Sequence, residues 1–187
     1  DFKHHPVLKI VLENEEFKDY REKVISFMAA SKTFNIAGLH TSYTIIESEK
    51  LRKQYNNAKN GFGTGSSPFG LLALKAAYLE GEDWLEEQLL YLESNYDYLK
   101  DFVSKNIPQI NVTAAEGTYL AWLDCSQLQF DTDQKLINFM NNKAQVGMNP
   151  GQWFGKAGSM FMRLNIACPR SRLKTALTRI KEAVEGS

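Results

Sequence analysis

The sequence predicts an α/β fold that includes a long helix and ends in a compact α+β unit, and three observations predict it. Val24-Ile25-Ser26-Phe27-Met28 is a short, largely apolar run that reads as a strand buried on both faces, with Tyr43-Thr44-Ile45-Ile46 as a second strand after an intervening loop. Leu85, Leu89, Leu92, Tyr96, Leu99 and Val103 recur at alternating spacings of four and three, a single apolar stripe along a long rod. Beyond Pro108, short strand-like runs and a last amphipathic pattern describe a compact α+β unit, a few strands with helices on one face.

The elements follow in order. From Pro6 to about Tyr20, Leu8, Ile10, Val11 and Leu12 sit among acids, and a loop followed by a short helix is expected. Glu49 begins a polar helix that ends near Asn60-Gly61, and Gly61, Gly63 and Gly65 punctuate a mobile loop. Ser66-Ser67-Pro68 is a helix start, a serine cap with proline at the first helical position. That helix runs through Leu71, Leu72, Leu74, Ala76 and Tyr78 to a stop at Gly81. Asp83, with Glu86 three residues on, caps the long helix, and Pro108 ends it.

Asn111-Val112-Thr113 and Tyr119-Leu120-Ala121-Trp122-Leu123 read as strands joined by a turn at Glu116-Gly117. Asp131-Thr132-Asp133 caps a helix with Leu136, Ile137 and Met140 on its inner face. Val146-Gly147-Met148 is a short edge strand and Asn149-Pro150-Gly151 a turn, after which Phe161 to Ala167 is another strand. Ser171 caps a final helix with Leu173, Leu177, Ile180 and Val184 at helical spacing.

Composition narrows the function. The 187 residues include 22 basic and 22 acidic side chains, with no block of like charge. This argues against a nucleic-acid footprint and a polybasic membrane anchor. No apolar run approaches a spanning helix, and no signal-peptide core is visible. Cys125 and Cys168 form neither a C-x-x-C pair nor a metal spacing, and no metal is expected. Free thiols in such a chain fit a reducing cytoplasm.

Two residues are candidates for chemistry. Lys32 stands at the end of the first strand among small and apolar neighbours, where an ammonium loses solvation and the free amine is favoured. A free amine in a dry pocket condenses with an aldehyde. On spacing alone, a solvated lysine at a loop tip is the plainer reading. In Phe161-Met162-Arg163-Leu164-Asn165-Ile166, alternation puts Met162, Leu164 and Ile166 in the core and turns Arg163 with Asn165 to the other face. A guanidinium there is a planar fork for a carboxylate, unless it is simply solvated. Ser66 and Ser67 are explained as helix caps, His40 as a hydrogen-bonded structural residue, and Arg170 as a helix-start residue.

Ser31-Lys32-Thr33-Phe34-Asn35-Ile36-Ala37-Gly38-Leu39 closely resembles the Schiff-base segment of pyridoxal-phosphate enzymes of the aminotransferase class I/II fold. Within them the chain is most similar to the cystathionine β-lyase branch, the MalY/PatB-type C–S lyases. Further landmarks of the resemblance are Gly65-Ser66-Ser67-Pro68, Gly117-Thr118-Tyr119-Leu120-Ala121-Trp122-Leu123-Asp124, Asn149-Pro150-Gly151 and Phe161-Met162-Arg163-Leu164-Asn165-Ile166-Ala167-Cys168-Pro169-Arg170, in the expected order.

The resemblance implies the C-terminal portion of the fold-type I pyridoxal-phosphate-dependent transferase fold, from a protein about twice as long. Residues 1–88 would be the end of the large cofactor domain, and 89–187 the connecting helix and small α+β domain. Lys32 would hold the cofactor and later move the substrate α-proton, and Arg163 would take the α-carboxylate. Ser31 would serve the phosphate. His40 stands eight residues after the lysine, where related aminotransferases carry a phosphate-gripping arginine. Ser66 and Ser67 would lie at a homodimer interface near the neighbour's cofactor. The implied activity is α,β-elimination of a sulfur-bearing amino acid, with an aminotransferase as the alternative. By itself the chain would lack the pyridine-pairing aspartate and the ring-stacking aromatic. It is expected to be inactive, and in the alternative to be a folded fragment that associates through an exposed apolar flank.

Overall fold

The computed structural model describes residues 3–60 and 65–186. The expected loop glycines Gly61 and Gly63 lie outside the described residues. The chain forms two compact units, Asp1–Glu87 and Gln88–Ser187.

In the first unit, helix α1 (Val7–Glu13) starts directly after Pro6, and a 3-10 stretch, Glu15–Lys23, follows it. The expected loop-then-helix order is therefore reversed. Pro6 presets the backbone for a helix start, and the side chain of Asn14 accepts from the Glu16 N–H at the break, at 3.0 Å. Strand β1 (Ser26–Met28) pairs antiparallel with β2 (Tyr43–Ile45), with Phe27 opposite Thr44. The expectation of a strand buried on both faces fails. Ser26 is buried but Phe27 is 67% exposed, because in a two-stranded ribbon only one face is covered by the described residues.

Helix α2 (Glu49–Lys59) is capped by buried Ser48, whose hydroxyl accepts from the Leu51 N–H. Helix α3 (Pro68–Glu80) has Pro68 at its first position and stops at Gly81 as the spacing predicts. Ser67 occupies the cap with extended backbone, but its side chain makes no capping bond. Helix α4 (Glu82–Asn106) begins immediately after Gly81, so Asp83 lies inside the first turn rather than at the cap, where its charge still favours the helix dipole. Helix α3 passes very close to residues 39–41. A Cβ at Gly70 would overlap Thr41 Oγ1 and sit 2.9 Å from the Leu39 carbonyl oxygen.

The second unit holds the larger core. Strands β3 (Asn111–Val112), β4 (Leu120–Asp124), β5 (Asn149–Pro150) and β6 (Phe161–Asn165) form an antiparallel sheet in the order β3-β4-β6-β5. Helix α5 (Asp133–Asn138) is capped by Thr132 and continues as a π turn, Phe139–Lys143, and helix α6 (Arg170–Glu185) closes the unit. The buried layer is built from Ala121, Leu123, Met162 and Leu164 of the sheet, with Leu99 and Val103 of α4 and Leu173, Leu177 and Ile180 of α6. Each Leu, Ile, Val and Met side chain among them contributes about 1.5–3 kcal/mol on burial.

The apolar stripe of α4 is buried only over its second half; Leu89 is 55% exposed. Two boundaries also shift. The edge strand is Asn149–Pro150, not Val146–Met148, and Pro169 rather than Ser171 precedes the first turn of α6, with no side-chain cap. Proline at an edge costs no ladder bond, which is why Pro150 can sit in β5.

The close approach at Gly70 predicts that Gly70→Ala destabilises the chain by about 1–3 kcal/mol in urea denaturation, since overlap outweighs the helix-propensity gain. Thr41→Ala in the same chain should recover part of the loss. Burial, aided by the Asp124 carboxylate, pushes the Cys125 thiol from 9.0 up to about 12. Between those values the unfolded chain has released this proton while the folded one retains it, so stability falls as pH rises through that window. Cys125→Ala should flatten the stability difference measured between neutral pH and about pH 11.

Candidate functional site

The lysine-bearing turn is a single helical turn with a built-in stop. The Phe34 N–H donates to the Ala30 carbonyl at 2.9 Å, and the Ile36 N–H reaches back to the Ser31 carbonyl at 3.1 Å. Asn35 between them is left-handed, at φ 54°. This six-to-one closure over a left-handed residue is the Schellman arrangement, which asparagine tolerates better than most side chains. Ala30 is fully buried and Phe34 half-buried, so the two ends of the first hydrogen bond anchor the turn. Phe34 meets the Tyr78 ring edge-on at 5.7 Å and stacks on Trp84 at 6.2 Å. A Cβ at Gly81 would come within 2.9 Å of its ring. The hydroxyls of Tyr78 and Tyr43 lie 3.0 Å apart, and this hydrogen bond, with burial second, pushes the Tyr78 phenol up to about 12.

Lys32 is exposed, and among the described residues no acceptor or carboxylate pairs with it. The dry surroundings expected from the sequence are thus not supplied by the described residues, in which Ala30 is the buried position of the turn and Phe34 only half-buried. Ser31 is half-buried beside it. His40 is exposed and left-handed, at φ 48°, closing the 3-10 turn Ala37–Leu39. Ser66 and Ser67 are exposed. All of these residues belong to the first unit, and Arg163 to the second.

Arg163 is the middle residue of β6, between Trp122 on β4 and Asn149 on β5. Its neighbours Met162 and Leu164 point into the core, so alternation turns it to the opposite face as expected. Its Nη2 donates to Asn149 Oδ1 at 3.0 Å, and its guanidinium carbon lies 4.4 Å from the centre of the Phe154 ring. Phe154 packs edge-on against Trp122 at 5.6 Å, and Trp122 stacks on Phe161 at 5.7 Å. The segment carrying Phe154 is folded back by two glycines in contact. A Cβ on Gly151 would overlap the Gly158 carbonyl oxygen, and one on Gly158 would overlap that of Gly151. Arg163 Nε is buried without a hydrogen-bond partner.

Arg170 contrasts with it. Its Nε donates to Asn95 Oδ1 and its Nη2 to Ser94 Oγ, both at 2.7 Å, and its own N–H goes to the Tyr91 hydroxyl. Fully buried Asn95 also donates to the carbonyls of Ile166 and Cys168. Sequence reasoning missed Asn95 and Phe154, and it named Asn149 only within the turn Asn149-Pro150-Gly151, not as a partner of Arg163. The signal for Asn95 was a lone amide on the apolar stripe, one turn before Leu99. For Phe154 it was the glycine spacing around Trp153-Phe154.

These donors fit an aldehyde-bearing cofactor at one end only. Lys32 offers an accessible primary amine with no competing ion pair among the described residues, and Ser31 offers a hydroxyl next to it. Among the described residues no group of three or more His, Cys, Asp or Glu side chains is placed to hold a metal ion, and no helix is long and apolar enough to cross a membrane.

Comparison with known proteins places the chain in a family. A family model described as aminotransferase class I and II matches residues 7–180. Cystathionine beta-lyase PatB of Bacillus subtilis is 36% identical over 168 residues, covering 89% of this chain and 43% of PatB. The chain therefore spans less than half the length of the curated relatives it matches. Among solved structures, cystalysin from Treponema denticola, which contains a pyridoxal 5'-phosphate cofactor, matches with TM-score 0.87 and 32% identity over 93% of this chain and 43% of its own. The pyridoxal-phosphate-bound C–S lyase from Staphylococcus hominis matches with TM-score 0.82 and 34% identity over 97% of this chain and 45% of its own. On the extent of these matches, the chain belongs to the aminotransferase class I and II family.

Proposed function

We propose that this chain is the C-terminal part of a pyridoxal-phosphate-dependent C–S lyase. The enzyme would cleave a sulfur-bearing amino acid such as cystathionine or cysteine by α,β-elimination, giving a thiol, pyruvate and ammonia. The observation that carries the reading is the Lys32 amine, accessible and unpaired among the described residues on a turn fixed by its own hydrogen bonds. The names of the relatives supply the substrate class. In this reading residues 1–88 belong to the cofactor domain, and 89–187 form the connecting helix and small domain.

The cofactor, when bound, supplies an aldehyde for Lys32 and an electron-withdrawing ring that makes the substrate α-proton removable. Lys32 would be the residue that holds that group, through its amine. With that amine free, Lys32 would take the α-proton as general base, and the thiolate would leave the β-carbon with the electron pair of the C–S bond. Water then hydrolyses the enamine so formed to pyruvate and ammonia. The Ser31 hydroxyl and backbone N–H groups of the turn are donors for the phosphate, with His40 a lesser one. Arg163 holds the substrate α-carboxylate through its planar fork. The full-length protein is a homodimer in this reading, with Ser66 and Ser67 facing the neighbouring cofactor. Its compartment is the reducing cytoplasm that two free cysteines suit.

A second reading, association without catalysis, is favoured by Phe69, Leu79 and Leu90, which are 76%, 70% and 67% exposed. In the proposed enzyme the remaining polypeptide covers such residues, and this chain alone has no turnover. With pyridoxal phosphate added, this chain alone should show at most a visible absorption band that Lys32→Ala abolishes. Thiol release by this chain alone would refute its inactivity.

The full-length protein given cystathionine and no keto acid should release pyruvate and thiol. A strict need for a keto-acid acceptor would make it an aminotransferase instead. Arg163→Ala in that protein should raise KM by about 30-fold or more and leave cofactor absorbance intact. Lost absorbance with unchanged KM would remove Arg163 from the carboxylate.

A further inference from the structure

An arginine that serves only architecture has its donors consumed or its charge paired. Arg170 is such a residue, with Nε, Nη2 and backbone N–H all bonded within the unit. Both guanidiniums stack on a ring, Arg170 on Tyr98 at 4.7 Å and Arg163 on Phe154 at 4.4 Å, but Arg163 donates only to the neutral amide of Asn149. Among the described residues no carboxylate forms an ion pair with it. Its Nε–H is buried with no acceptor. The guanidinium is thus oriented by groups that leave its charge uncompensated.

We propose that Asn149 is a positioning residue, whose side-chain oxygen fixes the Arg163 fork for a carboxylate-bearing ligand. The inference rests on the reading of Arg163 given above. Asn149 is directly opposite Arg163 on the edge strand β5, so the amide needs no long reach. The strand has only two residues and is steadied beyond Pro150 by the Gly151–Gly158 contact. An arginine side chain loses much rotamer freedom on being ordered. Asn149 at one edge and Phe154 on one face impose that order before a ligand arrives, which lowers the cost of binding. An aspartate at 149 would hold the fork equally well but would cancel the charge that attracts the anion. Asparagine orients without neutralising.

The test uses the full-length holoenzyme and two ligands without an amino group, 3-(methylthio)propanoate and its neutral amide, as competitive inhibitors. Asn149→Ala and the isosteric Asn149→Leu should each weaken inhibition by the acid about tenfold, the loss of one hydrogen bond to a charged group. Inhibition by the amide should stay unchanged, and KM should rise with kcat retained. Asn149→Asp should weaken the acid at least as much, through the anion it places beside the guanidinium. Arg163→Ala separates the two levels of the argument. If it fails to discriminate acid from amide, the carboxylate reading of Arg163 itself is wrong. If it discriminates while Asn149→Ala and Asn149→Leu do not, only the positioning role of Asn149 falls. Tighter binding of the acid by Asn149→Leu would show that Asn149 competes with the ligand, and would overturn the proposal.

Discussion

The period of two in β6 is the constraint on which the second unit depends. Met162 and Leu164 must enter the core, and a slip of one residue would carry both to the surface and Arg163 inside. Burying an unpaired guanidinium costs several kcal/mol, whereas each apolar residue gains about 1.5–3. Both preferences enforce the same register, and β4 repeats it with Ala121 and Leu123 inward and Trp122 outward. The aromatic surroundings of Arg163 follow from that register, because Trp122 is its cross-strand neighbour and Phe154 packs on Trp122.

What was legible in the sequence was whatever local chemistry decides. Gly81 ends α3, Thr132 caps α5 through its side chain, and β6 alternates as written. Where two signals competed, the boundary moved. Asp83 has a capping side chain, but Gly81 had already let the chain turn, so α4 starts ahead of it. Long-range choices were not legible. A lone amide on the apolar stripe marks Asn95, but not that two carbonyls and an arginine beyond residue 165 will be its partners. Asn149 likewise acquires its partner only when β5 pairs with β6. Of the candidate site, Lys32 and Arg163 were named by pattern and resemblance, and the immediate partners of Arg163 required coordinates.

Burial of β1 was misjudged for a different reason. An apolar run states that it needs cover, not where the cover comes from. Within the described residues β1 and β2 form an isolated ribbon, with Phe27 leaning on Tyr55 at 6.1 Å and otherwise largely open. Two-stranded ribbons are marginal on their own in water. The aromatic cluster of Phe34, Tyr43, Tyr78 and Trp84 is therefore central to holding the lysine turn in this unit.

The two units thus carry their reactive groups on different footings. A buried N–H without an acceptor costs about 1–3 kcal/mol. The second unit can bear that cost at Arg163 Nε, because the apolar layer beneath β6 offsets it several times over. Among its described residues the first unit has no comparable layer, and its lysine stands on a turn held mainly by two backbone hydrogen bonds and ring contacts. A group whose surroundings are pre-set binds with less ordering cost than one whose surroundings must form on binding. The guanidinium of Arg163 is accordingly pre-set, by Asn149 and Phe154, in the fold described here. Lys32, by contrast, is exposed on its turn among the described residues.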